Sequence, residues 1–218
     1  MSNSLLQVEN LKVSFDVSSE GDMPWTKPKK LQAVNNVSFN LSSGETLGIV
    51  GESGCGKSTL ARAIVKMVPT DSGKVLWLGN DLLSLNKSEM RKHRKQIQMI
   101  FQDPLASLNP RMNIGEIIAE PLRTHYPKTP EADVQERVSD VMKKVGLLGN
   151  LVNRFPHEFS GGQCQRIGIA RALILKPKLI ICDEPVSALD VSIQAQVVNL
   201  LMDLQEEMGL TLIFIAHD

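Results

Sequence analysis

GESGCGKS, residues 51–58, follows a short apolar segment, ETLGIV (45–50), and precedes apolar residues that recur at helical spacing from Leu60. The stretch matches the pattern G-x-x-x-x-G-K-[ST] at every fixed position, in the strand-to-helix context that the pattern requires. Its glycines let successive backbone N–H groups turn inward, and the helix adds its positive end. We expect Lys57 to supply a charge and Ser58 a ligand for Mg²⁺. The stretch therefore predicts a phosphate-binding loop, in preference to a chance glycine-rich turn.

The composition limits the kind of protein that carries this loop. The 218 residues can bury one large domain, or one domain with a smaller insertion. Lys plus Arg and Asp plus Glu balance at 24 each, so no overall field attracts nucleic acid or an anionic membrane. The three cysteines lack C-x-x-C spacing, and their odd number favours reduced thiols. Without a signal-like start or about 18 consecutive apolar residues, the chain is predicted to be cytosolic and to reach a membrane only through partners.

The first part of the chain has the pattern of β-structure. Segments 5–15 and 33–41 are rich in Val, Leu and Phe with partial alternation, which predicts strands of an antiparallel sheet. The polar, turn-rich stretch 16–30 between them is predicted as an exposed excursion. Residues 1–86 are therefore expected to form a β subdomain and the first part of a core that contains the phosphate loop.

The middle of the chain, residues 87–159, is predicted as a helical insertion. The basic stretch 88–100 is predicted as helix. A further helix is predicted with Thr129 as its cap, Pro130 in its first turn and Gly146 as its end.

Helix and strand patterns alternate over residues 160–218, the second part of the core. The predicted elements are a helix over 160–175, a strand over 179–182, a helix over 193–208 and a strand over 211–216. This order predicts a parallel sheet covered by helices, and so an α/β fold in which residues 1–218 form a single domain.

Two acids end the apolar strand in LIICDEP, residues 179–185. Carboxylates at strand ends point into the ligand crevice of an α/β sheet. Asp183 is expected to hold a metal through water. Glu184 is expected to face the terminal phosphate and to act as general base on the attacking water. The alternative, an acid pair capping a helix on a solvated turn, is less consistent with the phosphate loop upstream.

Four other features are ambiguous as local chemistry. Gln102 and His217 follow apolar runs and could contact metal or phosphate, but either residue type at a strand end is ordinarily a surface residue. Asp190 in SALD could simply cap the helix that starts near residue 192. The basic cluster 91–95 lacks interleaved aromatic residues, which favours a solvated helix face over a nucleic-acid site.

FSGGQ, residues 159–163, is a second candidate phosphate site. Ser160 can cap the helix, while Gly161 and Gly162 permit a phosphate to approach free N–H groups at its positive end. A plain loop and cap explains the stretch equally well.

Taken together, GESGCGKST, Gln102, FSGGQ, LIICDEP, SALD and His217 occur in the order found in ATP-binding subunits of ABC transporters. The resemblance spans nearly the whole chain and implies an ABC-type ATPase core with an N-terminal antiparallel β subdomain and an inserted helical subdomain. In that family two ATPase domains meet head to tail, so each ATP lies between the phosphate loop of one domain and the SGGQ signature of the other. A soluble ABC ATPase acting on DNA or ribosomes and a P-loop kinase are the alternatives. The kinase alternative does not explain FSGGQ beside LIICDEP and SALD.

The resemblance also assigns roles by position. It implies catalytic roles for Glu184, for His217 as the γ-phosphate switch and for Gln102, which also senses the membrane partner. It implies Mg²⁺ ligation by Ser58, Gln102 and Asp183. The residues implied in ATP binding are Phe15, Gly51, Glu52, Ser53, Gly54, Cys55, Gly56, Lys57, Ser58, Thr59, Ser160, Gly161, Gly162, Gln163 and Asp190. Phe15 would stack on adenine, although a core strand residue explains it as well.

Longer stretches around Gln102 and FSGGQ are similar to the peptide and nickel importer branch of the family. That branch implies a peripheral protein at the cytoplasmic face of the membrane that energises import of oligopeptides or, alternatively, nickel. It implies a second ATP-binding subunit, two transmembrane permease subunits and, indirectly, a periplasmic or extracellular binding protein, with no nucleic acid. Family members continue well beyond the switch histidine, so the chain is expected to be truncated at its C-terminus.

Overall fold

The computed structural model describes residues 4–17 and 29–217. The strands are β1 (Ser4–Val17), β2 (Lys29–Ser42), β3 (Thr46–Val50), β4 (Ser72–Trp77), β5 (Asn80–Asp81), β6 (Ile97–Ile100), β7 (Leu179–Asp183) and β8 (Thr211–Ala216). The helices are α1 (Lys57–Ile64), α2 (Lys87–Arg94), α3 (Ile114–His125), α4 (Glu131–Lys144), α5 (Gly161–Leu173) and α6 (Val191–Met208), with short 3₁₀ turns at Gly149–Leu151 and Pro156–Glu158.

One sheet is antiparallel, with the order β2-β1-β4-β5. Val8 in the inner strand β1 pairs with Phe39 of β2 on one side and Val75 of β4 on the other. The predicted antiparallel β structure of the N-terminal part is thereby confirmed. Residues 18–28, most of the predicted excursion, lie outside the described residues.

The second sheet is parallel, with the order β3-β8-β7-β6. Strand β7, one of its two inner strands, is buried along its whole length. Ile180 and Cys182 belong to one hydrophobic core, whereas Leu179 and Ile181 belong to the other. The alternation of side chains along a strand explains this division, because both faces of the sheet are covered. The predicted α/β fold with a parallel sheet is confirmed.

The helical part is built from α3, α4 and α5, whose apolar side chains share one core. Within the range predicted as a helical insertion, however, β6 is a strand of the parallel sheet. The predicted helix over 88–100 is therefore wrong beyond Arg94. The apolar run IQMI instead pairs with β7, because it is more stable as a strand of the sheet than as the end of a helix. The predicted Thr129 cap is also wrong, because Pro130 occupies the cap position and the Thr129 hydroxyl donates to Tyr126 O.

The parallel topology determines where functional residues lie. The carboxyl ends of parallel strands meet at one edge of a sheet. At that edge β3 leads into the phosphate loop, β7 ends at Asp183, β8 leads to His217 and β6 leads to Gln102. Among the described helices, none is both long and apolar enough to cross a membrane.

Candidate functional site

The phosphate loop lies between β3 and α1, as predicted, and its shape depends on glycine. Gly56 has a φ of 99°, and a β-carbon there would lie 2.0 Å from Ala33 O of β2. Gly54 is also left-handed, with a φ of 77°. The loop thus packs against the antiparallel sheet at a point where only glycine fits. Gly56 is the residue that precedes α1, so the first N–H groups of that helix face the loop.

Lys57 is buried and lies across the loop. Its Nζ donates to Gly51 O over 2.6 Å and to Glu52 O over 2.8 Å. The same ammonium lies 3.7 Å from Glu184 Oε1. A positive charge is therefore fixed at the mouth of the loop, where it suits the phosphates of a nucleotide.

Asp183 and Ser58 form an oxygen-rich pair. Ser58 Oγ donates to Asp183 Oδ1 over 2.7 Å. The other oxygen, Oδ2, is buried and accepts no hydrogen bond from the described residues, although Arg62 Nη2 lies 3.9 Å away. Burial raises the pKa of Asp183, while the Ser58 hydrogen bond and Arg62 act in the opposite direction. A buried carboxylate oxygen beside a hydroxyl is a donor set that Mg²⁺ prefers, so these residues fit that ion.

Glu184 is the centre of a polar cluster. Its Oε2 accepts a hydrogen bond from Gln102 Nε2 over 2.7 Å and lies 2.6 Å from His217 Nε2. Its backbone φ of 49° is unusual for a residue other than glycine. Its N–H donates to Ile215 O. The side chain of Glu184 is buried, whereas that of His217 is 40% exposed. Gln102 and His217, ambiguous in the sequence, are thus brought to one carboxylate.

The FSGGQ stretch starts α5, and the predicted Ser160 cap is confirmed. Ser160 Oγ accepts from Gln163 N, and Gln163 Oε1 accepts from Ser160 N. No hydrogen bond or ion pair between described residues joins this segment to the phosphate loop. Its glycines instead contact the chain beyond Glu184: added β-carbons at Gly161 and Gly162 would lie 3.2 Å from Leu189 and 2.6 Å from Ile193.

Two further residues predicted in the site, Asp190 and Phe15, lie at a helix cap position and against the core, respectively. Asp190 occupies the cap position of α6 and is exposed, but its side chain makes no capping bond within the described part of the chain. Phe15 pairs with Leu31 and packs against the core beside the antiparallel sheet. The remaining loop residues Glu52, Ser53 and Cys55 are exposed, and Thr59 is half-buried.

Sequence reasoning missed several contacts. Arg62 follows Ser58 by one helical turn, so its i+4 spacing was a usable signal. Ala33 and Ile193 carry no polar group that would mark them, and only the folded chain brings them to glycines of the site.

A groove of about 700 Å³ lies beside Gln102. It runs between the parallel sheet and the helical part, and Arg94, Glu120 and Arg171 are among its charged residues. His125 also lines it; burial, with Arg91 and Lys95, lowers the pKa of that imidazole. Its volume lies within the range of ligand-binding clefts and is far larger than a single ion requires.

A protein-family model described as "ABC transporter" matches residues 34–187. The chain belongs to the ABC transporter family. Similar curated proteins of this family include the oligopeptide transport ATP-binding protein OppF of Salmonella typhimurium, 69% identical over 98% of this chain, and AppF of Bacillus subtilis, 52% identical over 99%. The chain spans 64% of the length of OppF and 65% of AppF.

Solved ABC structures share the fold. The ATP-binding cassette MJ0796, in a dimeric post-hydrolysis state bound to ADP and Pi, has a TM-score of 0.84 at 30% identity and covers 98% of this chain and 88% of its own. The cbiO1 protein of Clostridium perfringens, part of the ABC transporter complex cbiONQ, has a TM-score of 0.81 at 28% identity, over 100% of this chain and 80% of its own.

Proposed function

We propose that the chain is the ATP-binding and ATP-hydrolysing part of a subunit that energises import of oligopeptides through an ABC membrane permease. The observation that carries the proposal is the convergence of Lys57, Asp183, Glu184, Gln102 and His217 at one edge of the parallel sheet. Relatives named as oligopeptide transport ATP-binding proteins, 66–69% identical over 98% of the chain, support the substrate class.

The phosphate loop and Lys57 bind the phosphates of ATP in this proposal. Main-chain N–H groups of residues 51–58 and the start of α1 surround the β-phosphate, while the ammonium of Lys57 neutralises charge. Asp183, Ser58 and Gln102 would hold Mg²⁺, which would neutralise negative charge on the phosphates.

Glu184 acts as the general base. Gln102 and His217 both contact Oε2, so they fix the carboxylate in one orientation. Oε1, which lies 3.7 Å from Lys57, is then the oxygen that takes a proton from the attacking water. Positioned general bases contribute about 10²–10⁴-fold to rate.

Further subunits complete the proposed transport complex. Ser160 to Gln163, together with Asp190, would contact ATP held by a second ATP-binding subunit, and that pairing is supported by the dimers described for the cassette MJ0796. The groove beside Gln102 would receive a segment of the two permease subunits at the cytoplasmic face of the membrane. A binding protein outside the membrane would deliver the substrate to the permease.

Reconstitution tests the proposal. The full-length subunit is purified with its membrane partners, placed in lipid vesicles and assayed for ATP hydrolysis and uptake with an oligopeptide or with Ni²⁺. We expect the peptide to stimulate hydrolysis and to be taken up, and Lys57→Met to abolish both. Stimulation by Ni²⁺ alone would reassign the substrate, and a peptide that changes neither rate would contradict the proposal.

A further inference from the structure

Helix α5 connects two parts of the molecule that are distant in sequence. Its N-terminus carries Ser160, and its last turn carries Arg171, about 16 Å further along the axis at 1.5 Å per residue. From that turn, Arg171 Nη1 donates to Ser107 O over 2.6 Å, and Nη2 lies 3.5 Å from Ser107 Oγ. Helix α5 is thus hydrogen-bonded directly to the chain that follows Gln102.

Residues 103–108, the Gln102-proximal segment, form a compact turn with internal hydrogen bonds. Asp103 Oδ1 accepts from Ala106 N over 2.9 Å, and Ser107 Oγ donates to Pro104 O over 2.8 Å. Within the described residues, the hydrogen bonds that join this segment to α5 both come from Arg171. These internal bonds are few and at least partly open to solvent, so both the position of the turn and the lifetime of its internal hydrogen bonds depend on what holds it from outside.

Arg171 is suited to that task because it is half-buried. Burial lowers the pKa of its guanidinium, while the Glu120 carboxylate on α3 opposes that shift. Hydrogen bonds from a charged donor in such surroundings are stronger than neutral ones, and a planar guanidinium fixes direction as well as distance.

We infer that Arg171 is a positioning residue that holds Gln102 against Glu184 and links this contact to the Ser160 end of α5. Gln102 directly precedes the Gln102-proximal segment, and its amide donates to the Glu184 carboxylate over 2.7 Å. A displacement of α5 therefore reaches Glu184 through Arg171, Ser107 and Gln102. The catalytic part of this inference rests on the proposed ATPase function.

Arg166 provides a matched control on the same helix. Its Nη1 donates to Val145 O, also over 2.6 Å, and so braces the end of α4 rather than the Gln102-proximal segment. Arg166→Met and Arg171→Met each remove one guanidinium–carbonyl contact from α5, but only the second releases the segment beside Gln102.

Steady-state kinetics of the full-length subunit, assembled with its partners, test the link to Glu184. We expect Arg171→Met to lower kcat about tenfold with KM for ATP within about twofold, and Arg171→Lys to recover part of the loss. Because Arg171 acts through Gln102, adding Arg171→Met to Gln102→Ala should lower kcat by less than about twofold more. A further drop of about tenfold in the double variant, or a change confined to KM, would overturn the inference.

Amide hydrogen exchange on the full-length subunit tests the contact without hydrolysis. We expect Arg171→Met to speed exchange of the amides of Ala106, Ser107 and Leu108 about tenfold, and Arg166→Met to leave those amides unchanged. Equal exchange in Arg171→Met and the unsubstituted protein would overturn the inference. Absence of ATP hydrolysis by the unsubstituted assembly would instead contradict the proposed function, and the exchange result would still decide whether Arg171 holds the segment.

Discussion

Ser58 Oγ donates to Asp183 Oδ1 over 2.7 Å, which joins the first turn of α1 to the end of a strand 125 positions away. The bond satisfies one oxygen of a buried carboxylate, whereas the other, Oδ2, accepts no hydrogen bond from the described residues and has only Arg62 Nη2 at 3.9 Å. The site therefore includes a negative charge that costs stability in the folded chain. That cost has measurable consequences.

Asp183→Asn should alter the pH dependence of stability. Burial raises the pKa of Asp183 above its ordinary 3.8, so the folded protein binds a proton that the unfolded chain releases. The stability that this proton contributes is present at a pH below the ordinary pKa and is lost as the pH rises through the raised pKa. The free energy of unfolding is measured with denaturant in EDTA from about pH 3 to about pH 7. Relative to the unsubstituted protein, Asp183→Asn should lose less of this free energy as the pH rises. If the free energy of unfolding had the same pH dependence in both proteins, the burial argument would be contradicted. In a separate measurement, Mg²⁺-dependent ATP binding should be weaker in Asp183→Asn.

Gly56→Ala should disrupt the phosphate loop. The added β-carbon would lie 2.0 Å from Ala33 O, so the loop must move away from β2. Gly54→Ala is the matched control, because that residue is also left-handed but no described atom lies within 4 Å of an added β-carbon. We expect Gly54→Ala to cost about 1–2 kcal/mol and Gly56→Ala clearly more, with loss of ATP binding. Equal losses in calorimetry and nucleotide titration would show that the clash is relieved elsewhere.

Glu184→Gln should separate ATP binding from hydrolysis. The amide keeps an oxygen that accepts from Gln102, but it cannot take a proton from water. We expect kcat to fall about 10²–10⁴-fold while ATP stays bound and the ATP-bound dimer of the full-length protein becomes stable. Phosphate release and size-exclusion chromatography measure both effects. Unchanged turnover would remove Glu184 from the role of base.

Gly162→Ala should affect the first turn of α5 through packing as well as through any neighbouring phosphate. Its β-carbon would lie 2.6 Å from Ile193 Cγ2, and overpacking of this kind costs about 1–3 kcal/mol. Gly168→Ala on the same helix is the control, since no described atom lies within 4 Å of its added β-carbon.

Gly162→Ala and Gly168→Ala should differ both in stability and in ATP hydrolysis. We expect Gly168→Ala to be neutral or stabilising and Gly162→Ala to lower both stability and hydrolysis, with ATP binding to the isolated subunit retained. Ile193→Ala also loses packing against the core, so the double variant should be destabilised by clearly less than the sum of the two single variants. Additive losses would place the cost of Gly162→Ala outside this contact.

Thiol alkylation should act selectively at Cys55. This cysteine is exposed in the phosphate loop, whereas Cys164 and Cys182 are buried. Burial raises the pKa of Cys164 and raises that of Cys182 to about 12, so neither forms a reactive thiolate near neutral pH. We expect alkylation to block ATP binding, ATP to protect against it and Cys55→Ala to be insensitive. Labelled protein with unchanged ATP affinity would show that the loop tolerates the adduct.

The sequence by itself determined the strand–loop–helix at 45–64, the buried strand ending in Asp183 and the Ser160 cap. These features follow from local periodicity, glycine placement and capping chemistry, which act over a few residues. The same local rules failed at 88–100, where the basic helix continued by pattern into IQMI. Pairing with β7 converts that run into β6, and no local signal encodes a partner 82 positions away.

Only the tertiary structure decided how the single residues at the strand ends act together. Gln102 and His217 are unremarkable in the sequence, yet the parallel order β3-β8-β7-β6 brings both to Glu184 Oε2. The fits of Gly56 to Ala33 and of Gly162 to Ile193 depend on packing between separate elements. Strand order and side-chain packing are long-range properties, because many distant contacts must form together before any one of them is stable.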